Sequence, residues 1–61
     1  LGGETADRAK SMAEQQTGPG YRFHVSSLNI ATNNQGTSVS GVVTAWNDNE
    51  IRTVPVHWVE R

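Results

Sequence analysis

The segment Thr17-Gly18-Pro19-Gly20 separates two stretches of chain with different hydrophobic periods, and this break constrains the fold most. Proline cannot continue a helix, and glycine suits the residue just past a helix C-terminus. Before the break, apolar residues recur at helical spacing. After it, they alternate. A helix followed by strands is the architecture that satisfies both patterns.

Residues 4–16 carry Ala6, Ala9 and Ala13 at i, i+3 and i+7, with Met12 beside them. This predicts a helix with one narrow, shallow apolar stripe. Glu4 and Asp7 fall in its first turn, where the helix dipole favours carboxylates. Glu4–Arg8, Asp7–Lys10 and Lys10–Glu14 are neighbours on its surface. Leu1-Gly2-Gly3 reads as a flexible lead-in.

Three strands are predicted after the break. In 21–31, Tyr21, Phe23 and Val25 take odd positions, and Leu28 and Ile30 take even ones. The phase changes at Ser26-Ser27, which one extra residue explains, so a bulge or bend is expected there. Thr32-Asn33-Asn34-Gln35-Gly36 reads as a hairpin loop. In 37–46, Val39, Gly41, Val43 and Ala45 share one face, and Val42 and Trp46 point the other way. Asn47-Asp48-Asn49-Glu50 is a second turn. In 51–60, Val54, Val56 and Trp58 alternate with Thr53, Pro55, His57 and Val59. Pro55 has no amide hydrogen and belongs on an edge strand. Strand order 1-2-3 places it there.

The expected fold is α+β: one N-terminal helix packed on a three-stranded antiparallel β-meander, with residues 1–61 forming a single small domain. The expected core is Tyr21, Phe23, Val25, Leu28, Ile30, Val39, Val43, Val54, Val56 and Trp58. Gly41 reads best as the place where the helix presses on the sheet. A bulge or close strand approach is the other use for a glycine inside a strand.

Composition narrows the function. There is no cysteine, which removes disulfides, zinc fingers and thiol nucleophiles. Five Lys/Arg against six Asp/Glu leave a net charge of −1. The basic residues Arg8, Lys10, Arg22, Arg52 and Arg61 are scattered, so the field that attracts nucleic acid is missing. No apolar run exceeds a pair such as Val42-Val43, far below the roughly 18 residues of a membrane span. No signal-peptide pattern is present, but the chain opens on Leu1 and an earlier segment could have been removed. Asn, Thr, Ser and Gln outnumber charged residues, a surface composition common on exported and envelope proteins.

Leu, Ile, Val and Phe contribute two, two, seven and one residues, a thin core for a chain of this length. Such a chain, with neither disulfide nor metal, is marginal alone. A partner, a second copy, or the remainder of a longer parent protein is expected to add stability.

No catalytic, cofactor or metal constellation emerges. His24 and His57 fall on strands 1 and 3, roughly 9–10 Å apart across strand 2, too far for one metal. Asp48, Glu50 and Glu60 are the remaining candidate ligands. Ser26, His24 and Asp48 supply triad residue types without a nucleophile elbow or a second domain to form a cleft. Glu4 and Glu14 have no reason to face a pocket. Gly18-Pro19-Gly20 follows a helix and so offers no helix N-terminus to a phosphate. Val39-Ser40-Gly41 is similar to the Val-x-Gly of cystatin-type peptidase inhibitors. That motif belongs at a hairpin tip, whereas here it falls within a predicted strand, and no residue role is carried over.

One helix covers only one face of a three-stranded sheet. The expectation is therefore a non-enzymatic protein-protein interaction or self-association domain, using an open sheet face and a free strand edge. The interface residues expected are Trp46, Val42, Trp58, Tyr21 and Arg22. The partner expected is protein, either a second copy (a homodimer) or the rest of a parent. The alternative is a small macromolecule-binding protein, such as an enzyme inhibitor, acting through Asn33-Asn34-Gln35 and Asn47-Asp48-Asn49.

Overall fold

The computed structural model describes residues 2–60. Helix α1 (Gly2–Thr17) is followed by strands β1 (Arg22–Asn33), β2 (Gly36–Trp46) and β3 (Ile51–Glu60). The strands form one antiparallel sheet in the order β1-β2-β3, the expected α+β meander. The helix begins at Gly2, so the glycines read as a lead-in are helical, and Leu1 lies outside the described residues.

The helix stops as its sequence dictates. The Gly18 amide donates to the Glu14 carbonyl at 2.7 Å, and Gly18 adopts φ 90°, a left-handed conformation suited to glycine. Thr17 Oγ1 donates to the Ala13 carbonyl at 3.1 Å. Both turns between strands begin at an asparagine. Asn33 Oδ1 accepts from the Gln35 amide at 2.8 Å, and Asn47 Oδ1 accepts from Asn49 (2.8 Å) and Glu50 (3.0 Å).

The phase change in β1 is a bulge. Pairing with β2 runs from Val25↔Val43 directly to Ser27↔Val42, leaving Ser26 as the extra residue. Phe23 and Val25 before it, and Leu28 and Ile30 after it, therefore share the helix-covered face. Gly41 answers to this same feature and not to the helix, which corrects the expectation. A Cβ at Gly41 would collide with the Ser27 carbonyl oxygen and lie 2.9 Å from Leu28 Cδ2. Glycine at this point lets β1 close over β2 just past the bulge.

The core lies between α1 and this face. Ala9 and Ala13 are fully buried with Val39, Val43, Ala45, Val54, Val56 and Trp58, and Met12, Tyr21, Phe23, Val25 and Leu28 pack around them. Two alanines one helical turn apart let the helix sit close, and the sheet supplies most of the apolar area. Trp58 is 7% exposed, with the Arg8 guanidinium 4.8 Å from its ring centroid. Its indole N–H has no partner among the described residues, so the ring stabilises through apolar and cation–π contact. Arg8 also pairs with Glu60 at 2.9 Å, an exposed bridge of small energetic value.

Ile30 departs from the expected core and is 53% exposed. It points to the helix side, but a helix of 16 residues spans about 24 Å and a strand of 12 residues about 40 Å. At this level Arg8 of the helix reaches Trp58 and Glu60 on β3, while Ile30 on β1 stays uncovered.

Two stability measurements test this packing. Gly41→Ala is expected to cost about 1–3 kcal/mol through overpacking, read as a lower urea midpoint. A neutral Gly41→Ala would show that β1 shifts freely at the bulge. Trp58→Ala is expected to cost about 3–5 kcal/mol, which abolishes the cooperative thermal transition in circular dichroism for so small a core.

Candidate interaction surface

The register assigns every strand residue to one of two faces. Opposite the helix, β2 presents Ser38, Ser40, Val42, Thr44 and Trp46. Trp46 is flanked by Arg22 on β1 and Ile51 on β3, and Val42 by Ser27 and Pro55. No described element packs over this face. Its apolar cross-strand pairs, Trp46–Ile51 and Val42–Pro55, are separated by the row of His24, Thr44 and Thr53. Ile51 is 76% exposed and Val59, near the other end, 50%. The hydroxyls bond within the face: Ser26 Oγ lies 2.6 Å from Thr44 Oγ1.

Charge is nearly absent from this open face. Arg22 is its only Lys, Arg, Asp or Glu side chain among the described strand residues, and it sits at a corner. Arg52 and Glu60 fall on the helix side, opposite Ala45 and Thr37. Solvent-facing sheet surfaces ordinarily carry charges, whereas the centres of protein interfaces are depleted of them.

The expected interface residues divide into three groups. Trp46, Val42 and Arg22 share the open face, with Trp46 and Val42 half-buried. Tyr21 precedes β1 and packs against the core, and its hydroxyl donates to Glu50 Oε2 at 2.6 Å. It meets Trp46, Arg22 and Asp48 at a shallow cleft of about 320 Å³. Trp58 lies in the core on the helix side. Ile51 and Val59, which sequence reasoning left off the surface, belong to it. The alternation of β3 carried the signal, since both stand out of phase with Val54, Val56 and Trp58.

The two sheet edges differ. On β3, Pro55 lacks an amide hydrogen, and its carbonyl accepts from Gln16 Nε2 at 3.1 Å, so the helix covers that point. On β1, no proline, lysine or acidic residue interrupts Arg22–Asn33.

The titratable groups do not assemble into a centre. His24 pairs with Thr44 and His57 with Ser40, both on the open face with β2 between them. Ser26, His24 and Asp48 form no hydrogen-bonded set, since Ser26 engages Thr44. His57 Nε2 lies 3.3 Å from Ser38 Oγ, a contact between nucleophile and base residue types. No carboxylate among the described residues hydrogen-bonds His57. No three His, Cys, Asp or Glu side chains among the described residues are placed to hold a metal ion. No described helix is long and apolar enough to cross a membrane.

The turns Asn33–Gly36 and Asn47–Glu50 lie at opposite ends of β2, an 11-residue strand, and so about 35 Å apart. The Val39–Gly41 segment lies inside that strand, away from either tip. In comparisons with known protein families, characterised proteins and solved structures, the chain matches none.

Proposed function

We propose that the chain is a non-enzymatic self-association domain that binds further copies of itself through the open sheet face and the β1 edge. The observation that carries this reading is the charge-depleted open face, which keeps Trp46, Val42, Ile51 and Val59 in contact with solvent. A second copy brings a face of the same composition, which buries these side chains without stranding a charge. The thin core supplies the motive, because association adds stability by mass action.

The two surfaces serve different symmetry axes. Edge pairing uses a two-fold axis perpendicular to the sheet and leaves both open faces on the same side. Stacking of open faces uses a two-fold axis parallel to the sheet. Both together give D2 symmetry. Capture of a different macromolecule through the turns is the weaker reading. The separation of Asn33–Gly36 from Asn47–Glu50 prevents them from forming one tip.

Light scattering over a dilution series, with circular dichroism on the same samples, tests the reading. Mass is expected to rise above the monomer with concentration, and ellipticity to fall on dilution. Trp46→Ala is expected to keep its secondary structure and stop at the edge-paired dimer. A monomer of constant stability at all concentrations rejects self-association. Unchanged assembly of Trp46→Ala removes the open face from the contact.

A further inference from the structure

We infer that two copies join through β1 in a single antiparallel register centred on Ile30, making a continuous six-stranded sheet with both helices on one side. This rests on the self-association reading and specifies its edge contact.

Pro55 fixes which amides point outward. Without an N–H it cannot exchange hydrogen bonds with its partner Val42, so Val42↔Pro55 is a non-hydrogen-bonded pair. Alternation then turns the amides of Ser40, Val42 and Thr44 toward β1. The second turn agrees, since the Asn47 amide donates to the Glu50 carbonyl at 3.0 Å immediately beyond the Trp46↔Ile51 pair. Carried across β2, the same alternation directs the backbone groups of Leu28, Ile30 and Thr32 to the free edge. Phe23 and Val25 point outward too, but the Ser26 bulge puts them out of phase with the later segment.

The uninterrupted edge is therefore Ser27–Asn33, and its central residue is Ile30. A two-fold axis through Ile30 opposes Ile30 to Ile30, Leu28 to Thr32 and Thr32 to Leu28. All three outward residues of each strand are then used, making about six backbone hydrogen bonds. Sliding by two residues in either direction leaves one outward residue facing a bulge or the turn. The segment carries no charge, so no like-charge pair opposes this register. Among the described residues, Ile30 is the one large apolar side chain that the helix side leaves exposed. Partners in an antiparallel pair point to the same face, so the two Ile30 side chains cover each other.

The chain has no cysteine, so each single-cysteine variant presents one thiol. The opposed Cα atoms of a hydrogen-bonded pair are about 5.5 Å apart, within disulfide reach. Under mild oxidation, Ile30→Cys is expected to form a covalent dimer. Leu28→Cys and Thr32→Cys are expected to cross-link mainly with each other when mixed. Ile30→Pro removes an outward amide and the Ile30 side chain but no amide bonded to β2, and is expected to keep the fold while weakening the dimer at least roughly 30-fold. A chain that associates but shows no preferred cross-link at Ile30, or is indifferent to Ile30→Pro, overturns the register and leaves self-association standing. A wild-type monomer at every concentration rejects both.

Discussion

The extra residue at Ser26 is the constraint on which the rest of the sheet depends. Without it, strict alternation would place either Phe23 and Val25 or Leu28 and Ile30 on the face away from the helix. With it, all four point to the helix side, and Phe23, Val25 and Leu28 pack against the core from both sides of the bulge. The bulge also explains Gly41, because the Ser27 carbonyl and Leu28 fill the space a side chain would need. It divides the β1 edge as well, leaving Ser27–Asn33 as one unbroken pairing segment.

The helix and sheet meet through an asymmetric division of labour. Ala9 and Ala13 contribute closeness and little area, whereas Val39, Val43, Val54, Val56 and Trp58 contribute most of the buried surface. Of the ten charged side chains among the described residues, five lie on the helix and two, Arg52 and Glu60, on sheet positions beside it. Asp48 and Glu50 sit in the second turn, and Arg22 at a corner of the open face. The opposite face retains hydroxyls, amides, two histidines and paired apolar groups. Burying that face requires little charge desolvation, which is why an interaction domain is the reading best supported by its composition.

The protein is long and narrow, 44 × 18 × 17 Å over the described residues. That shape follows from 10- to 12-residue strands covered by a much shorter helix. It leaves apolar side chains uncovered both on the helix side, at Ile30, and behind the sheet, at Ile51 and Val59. A core this thin gives each uncovered side chain weight in the balance between monomer and assembly.

The sequence by itself determined the order of elements, the helix stop at Gly18, the bulge at Ser26-Ser27 and the edge position of Pro55. Each is a local property of backbone chemistry or of period, legible in a few neighbouring residues. It also placed Val42 and Trp46 opposite the core face of β2. Only the tertiary structure decided that Ile30 escapes the core, that Gly41 accommodates the neighbouring strand, and that Trp58, read from the sequence as both core and interface, lies in the core. It also decided that the face carrying Ile51 and Val59 stays uncovered. These outcomes depend on where a helix of limited length lies across a longer sheet and on how closely two strands approach. Hydrophobic alternation says which residues share a face, but it carries no information about what covers that face.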